Sequence, residues 1–143
     1  MVKFIYTTGH QDVSRENLII KIFTIAKRFI ELPDSIEVQF KNMPLSVYAE
    51  TLVNTRHKNR ICLNDSVPVP DVMYPTIHEL LHLNQIHTNR LSALHKNIYL
   101  WEGQKYSINV DDLSYEDYRN LPWEEDVFIR ERKLLISILN FKD

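Results

Sequence analysis

Glycine is nearly missing from this chain: Gly9 and Gly103 are the only two among 143 residues. Phosphate-cradling loops of the GxGxxG or Walker type need several glycines close together, so nucleotide-binding folds built on them are excluded. Cysteine is scarcer still. Cys62 stands alone, which excludes an internal disulfide framework and suits a reducing compartment. Its place in an apolar stretch reads as a small buried hydrophobe. An excess of charge of either sign is also lacking. Lys and Arg total 17 against 19 Asp and Glu, a net charge of −2 with a pI near 6.3. That balance gives no electrostatic ground for nucleic acid or an anionic membrane as a partner. Long apolar runs are absent too. Met1-Val2-Lys3-Phe4-Ile5-Tyr6 is too short for a secretory signal, and no stretch approaches a membrane span. The expectation is a cytoplasmic protein without repeats or low-complexity segments.

A chain that is 44% hydrophobic and 25% charged at this length suits one domain over residues 1–143 with a single core. A strand is predicted over Lys3–Thr7, then a turn at Gly9. Ser14 is the expected cap of a helix reaching about Leu32, with Leu18, Ile19, Ile22, Ile25, Ala26, Phe29 and Ile30 on one face and Pro33 as its stop. Ile36, Val38 and Phe40 alternate with polar residues as in a half-buried strand. Tyr48–Asn54 and Arg60–Asn64 read as a hairpin turning near His57-Lys58-Asn59, and Pro68–Pro70 as a loop. A second hairpin joins Ile98–Trp101 to Lys105–Ile108 through Gly103. Ser114–Tyr118 suits a helical turn, and a last helix is predicted over Trp123–Asn140. Helices and short strands in this order make an α+β domain.

His78-Glu79-Leu80-Leu81-His82 carries the chemistry. A random shuffle of this composition would give HExxH in roughly one to two chains per hundred, so the surroundings must support it. On a helix, residues four apart lie on one face, so both imidazoles reach a single Zn²⁺. Glu79, one residue round, stands beside the metal and is placed to take a proton from water activated there. Thr76 offers an N-cap with Glu79 at the third helical position, a capping box. Ile77, Leu80, Leu81, Leu83 and Ile86 make the helix apolar and buried, where two histidines and a glutamate need partners.

Catalytic zinc takes three protein ligands. His87 is nine residues from His78, about half a revolution round a continuing helix, and faces away. The metzincin pattern needs a glycine and a third histidine where this chain has Gln85 and Thr88. A carboxylate from a second helix is the alternative, and Pro122-Trp123-Glu124-Glu125-Asp126 places three acids in the first turn of the last one. Helix capping alone would also account for that triplet. Geometry by itself leaves Glu124, Glu125 and Asp126 open as the third ligand.

These residues resemble the phage-type metallopeptidases, small HExxH proteins among the gluzincin-like zincins. The resemblance rests on His78-Glu79-Leu80-Leu81-His82 with Gln85, on Trp101-x-Gly103-x-x-Tyr106 and on Pro122-Trp123-Glu124, about half the chain. It implies a small zincin-like domain: an N-terminal helix, a short antiparallel or mixed sheet, the HExxH helix, and a C-terminal helix carrying the third ligand. It implies His78, His82 and Glu124 as zinc ligands, Glu79 as general base, a peptide or protein substrate, and the host cytoplasm if the protein is phage-derived. The family continues PWE-x-E-A, whereas this chain has Asp126 and Val127 in the last two places, which keeps Asp126 and Glu125 open as ligands. Leu83-Asn84 after the motif also fits peptide deformylase, but the glycine loop around that enzyme's cysteine ligand is lacking.

The expected reaction is hydrolysis of a peptide bond by water activated at zinc, with Glu79 moving the proton to the leaving amine. Tyr99, Tyr106, Tyr115, Tyr118 and His95 are candidate oxyanion donors. Arg60–Asn64 is the candidate edge strand along which substrate backbone would pair, with a plain core strand as the equal alternative. The rival reading is a non-catalytic binding or structural module in which zinc joins two helices, a site that would need no Glu79.

Overall fold

The computed structural model describes residues 1–7, 11–43, 49–51 and 59–142. Strand β1 (Val2–Tyr6) pairs in parallel with β2 (Ile36–Lys41). Helix α1 (Val13–Ala26) lies between them in sequence, the crossover that a parallel pair requires. The alternation in β2 buries Ile36, Val38 and Phe40, as predicted. Strand β3 (Ala49–Thr51) and β4 (Arg60–Asn64) complete a mixed sheet of order β1-β2-β4-β3, in which β4 runs parallel to β2 and antiparallel to β3. Arg60–Asn64 is therefore an inner strand, which corrects its candidacy as the substrate-pairing edge in favour of the core-strand alternative. Ile61, Cys62 and Leu63 form an unbroken apolar run, each at most 1% exposed, which belongs to a strand covered on both faces. The β3–β4 pairing agrees with the expected hairpin. Tyr48, residues 52–58 with the His57-Lys58 part of its turn, and the turn at Gly9 lie outside the described residues.

Two helix starts differ from the sequence reading. In α1 the cap is Asp12, whose Oδ1 accepts from the Arg15 amide at 3.0 Å, so the helix begins before Ser14. It also ends early. Arg28 and Phe29 bond back three residues to Ile25 and Ala26, tightening the chain well before Pro33. Helix α2 (Met73–His87) begins ahead of Thr76, and the expected capping box does not form. Pro75 fits inside the first turn, where an amide hydrogen would have no partner anyway. The Thr76 hydroxyl instead donates to Val72 O at 2.7 Å.

α2 is buried over most of its surface, polar residues included. Ile77, Leu80, Leu81 and Leu83 are each at most 2% exposed, and burying such a side chain contributes about 1.5–3 kcal/mol. The helix stops at Asn89, held at φ 61°, where the Arg90 amide donates to Gln85 O at 2.9 Å. Three strands follow, β5 (Leu91–His95), β6 (Ile98–Trp101) and β7 (Gln104–Ser107), in an antiparallel sheet. The β6–β7 hairpin is the one predicted. Its two-residue turn has Glu102 and Gly103 at φ 50° and 81°. β5 was not foreseen. Its alternation is weak, and Asn97 at φ 64° supplies the turn into β6.

Helix α3 (Tyr115–Arg119), capped by Ser114, leads into α4 (Pro122–Leu139) with Pro122 in its first turn. Val127, Leu134 and Ile138 of α4 join α1, α2 and the mixed sheet in the main core. A smaller cluster of Leu91, Trp101, Leu121 and Trp123 seats the second sheet against the start of α4. Among the described residues this is an α+β arrangement of four α-helices and two small sheets, and no helix is long and apolar enough to cross a membrane.

Candidate metal centre

The inward face of α2 and the buried face of α4 meet at two histidines and two glutamates. His78 and His82, one turn apart, have ring centroids 5.0 Å apart, with planes at 73°. The Glu124 carboxylate of α4 lies across both. Its Oε1 is 3.3 Å from His78 Nε2 and its Oε2 is 2.8 Å from His82 Nε2. The other ring nitrogens are also engaged. His78 Nδ1 faces Glu131 Oε2 at 2.8 Å, and His82 Nδ1 faces Gln85 Oε1 at 2.9 Å. Glu79 is 4% exposed, and one donor atom each from His78, Glu79 and His82 fall within 4.8 Å of one another.

These neighbours set the charges. Burial lowers the His78 pKa, but hydrogen bonds to Glu124 and Glu131 outweigh it and raise the value from 6.5 to about 10. His82 shifts the same way: burial opposes its charge and Glu124 prevails. Burial favours a neutral Glu124, yet its bonds to His78 and His82 hold it at about 2. Without metal, the Glu124 anion faces a protonated His78, and His82 is shifted towards its charged form.

Two imidazole nitrogens and a carboxylate converging on one space form the donor set that zinc takes in His₂Glu sites. Each imidazole's second nitrogen is held by an acceptor, the usual support for a metal-bound histidine. The residues fit the ion on both counts, with His78 Nε2, His82 Nε2 and Glu124 as the groups that would hold it.

The three acids of the PWE segment part company here. Neighbours on a helix are about 100° apart, so the three cannot all meet the two histidines. Glu124 does, at 6% exposure. Glu125 is exposed. Asp126 turns to the opposite flank, accepting from Gln85 Nε2 at 2.9 Å and Arg130 Nη1 at 3.0 Å. Burial raises the Asp126 pKa, but the bonds from Gln85, Arg130 and Arg90 bring it below the ordinary value. His87 is exposed at the far end of α2, beside a hollow of about 370 Å³ that it shares with Lys27 and Phe29. Of the candidate oxyanion donors, Tyr99 and Tyr106 set their rings against Trp123 at 5.3 and 5.6 Å. Tyr115 is 80% exposed, Tyr118 is 37% exposed, and His95 faces solvent.

Glu131 escaped the sequence reading altogether, and Gln85 was noted without a role. A signal for Glu131 was available. It stands seven residues after Glu124, on the same stripe as Val127, Leu134 and Ile138, and an acid inside an apolar stripe needs a partner. Comparison of the chain with protein-family models, curated proteins and solved structures returned no match. The geometry of the cluster therefore carries the functional reading by itself.

Proposed function

We propose that this chain is a cytoplasmic zinc-dependent peptidase of the zincin type, acting on a peptide or protein substrate, with no nucleic-acid or membrane partner. The observation that carries the reading is the Glu124 carboxylate spanning both Nε2 atoms of the HExxH pair, with Glu79 buried on the same helix. Zinc, when bound, supplies a Lewis acid that polarises a carbonyl and lowers the pKa of water towards about 7. His78, His82 and Glu124 would hold the ion. Glu131 and Gln85 keep the two imidazoles turned so that Nε2 points inward. The Glu79 carboxylate accepts a proton from the attacking water and returns it to the departing amine nitrogen.

The rival is a binding or structural module in which the ion only joins α2 to α4. Glu79 separates the two readings, because a structural site needs ligands and no base. The test is a broad peptide library incubated with zinc-loaded wild type and with Glu79→Gln. The peptidase reading expects cleavage by wild type, its abolition by chelator, and a loss of about 10²–10⁴-fold in the variant at unchanged zinc content. Absence of zinc-dependent cleavage by wild type overturns it.

A further inference from the structure

Gln85 is fully buried, and all of its amide's polar atoms are engaged. Its Nε2 donates to Trp123 O at 2.8 Å and to Asp126 Oδ2 at 2.9 Å, while its Oε1 faces His82 Nδ1 at 2.9 Å. The two ends of an amide are ordinarily hard to tell apart, but here the partners decide. Turned over, the amide would set its oxygen against a backbone carbonyl and a carboxylate, with nothing to donate to it. Its NH₂ must therefore face α4 and its oxygen must face the histidine. An acceptor at that place requires a hydrogen on His82 Nδ1, which leaves Nε2 as the nitrogen free to bind a metal.

Asp126 is itself fixed from two directions. Arg130 of α4 donates to it at 3.0 Å and also reaches Asn84 Oδ1 at 2.8 Å. Arg90, just before β5, approaches both of its oxygens at 3.3 Å. Arg90 also donates to Glu102 at 2.6 Å and lies 4.7 Å over the Trp101 ring. The chain of contacts thus runs from the second sheet through a carboxylate and an amide to one imidazole.

We infer that Gln85, oriented by Asp126, is a positioning residue that presents His82 to the metal through Nε2, so that the second sheet helps to set the geometry of the centre. The inference rests on the zinc-site reading above, and its test separates the two. Zinc affinity is measured by chelator competition on the full chain for wild type, Gln85→Met and Asp126→Asn. Nitrogen–proton correlation spectra of the zinc-loaded proteins follow the His82 ring. Wild type is expected to hold zinc through His82 Nε2, with an Nδ1 proton protected from solvent exchange. Gln85→Met keeps the length of the side chain without its amide. It is expected to bind zinc about 10- to 100-fold more weakly and to lose the protected proton. Asp126→Asn can offer either end of its own amide to Gln85, so a smaller loss of affinity and faster exchange of that proton are expected.

Folded variants with wild-type affinity and an unchanged His82 Nδ1 signal would overturn the inference and leave the zinc site standing. If wild type binds no zinc, the zinc-site reading falls and takes the inference with it. If Gln85→Met does not fold, Asp126→Asn decides by the same two measurements.

Discussion

If this cluster binds zinc as proposed, binding should be strongly proton-coupled, because the entering ion would displace protons held by the neighbouring carboxylates. His78, at about 10, is protonated in the metal-free protein near neutral pH, and His82 is shifted the same way. A ligand nitrogen must give up its proton before it binds. At about pH 7.5, a group with a pKa near 10 resists that loss by about two to three powers of ten, whereas an ordinary histidine near 6.5 resists hardly at all. The expected result is an apparent zinc affinity that rises by about one to two powers of ten per pH unit across ~6.5–9, with one to two protons released per ion. Calorimetric titration in buffers of different ionisation enthalpy counts the protons, and chelator competition gives the affinity. An affinity that stays flat across that range, with no proton release, would refute the argument that His78 and Glu124 face each other as a charged pair. The metal-free protein has the complementary signature. The raised His78 pKa contributes stability fully below about 6.5 and loses it as pH climbs towards about 10. The lowered Glu124 pKa contributes fully above about 4.5 and loses it as pH falls towards about 2. Through these groups, thermal stability without metal should peak between ~4.5 and ~6.5, while stabilisation by zinc should grow at higher pH.

Three further outcomes are expected. Apparent zinc-binding energies of about 10–16 kcal/mol for four-ligand sites imply about 2.5–4 kcal/mol per ligand, so Glu124→Ala should weaken zinc binding by ~10²–10³-fold, while Glu125→Ala leaves it unchanged in the same competition assay. Arg15 is 4% exposed, bonded to Asp65 at 3.0 Å and stacked 3.9 Å over Phe40, so Arg15→Ala should lower unfolding free energy by about 3–5 kcal/mol in denaturant melts. Gly103, at φ 81° in the β6–β7 turn, should lose about 1–2 kcal/mol on Gly103→Ala, read as a lowered Tm.

The HExxH helix was legible because helical spacing alone places His78 and His82 on one face. Its start was not. Thr76 has the chemistry of a cap, yet Met73 and Tyr74 continue the helix backwards, and Pro75 is tolerated within the first turn. The acidic segment after Pro122 was legible as a source of the facing carboxylate, but the rotation of α4 that selects Glu124 depends on how Val127 and Leu134 pack in the core. The contiguous apolar residues of β4 suit a core strand, yet its sequence leaves an edge position equally open. Which strand lies outside depends on pairing between distant segments, and local pattern does not encode it. Glu131 and the outer contacts of Gln85 belong to the same class of difficulty. Glu131 meets His78 across 53 positions, and the Gln85 amide, three residues from His82, is fixed by Trp123 and Asp126 at 38 and 41 positions.

The contact between Glu124 and the two imidazoles also orders events during synthesis. His78 and Glu124 are 46 residues apart, and the second sheet is made between them. That sheet is built from neighbouring hairpins, whose short loops close at low entropic cost. The α2–α4 contact comes only afterwards. A nascent chain therefore exposes a pair of histidines well before the carboxylate that completes the set. If the site binds zinc as proposed, metal captured at that stage would lack the Glu124 carboxylate, and durable loading would wait until α4 has docked.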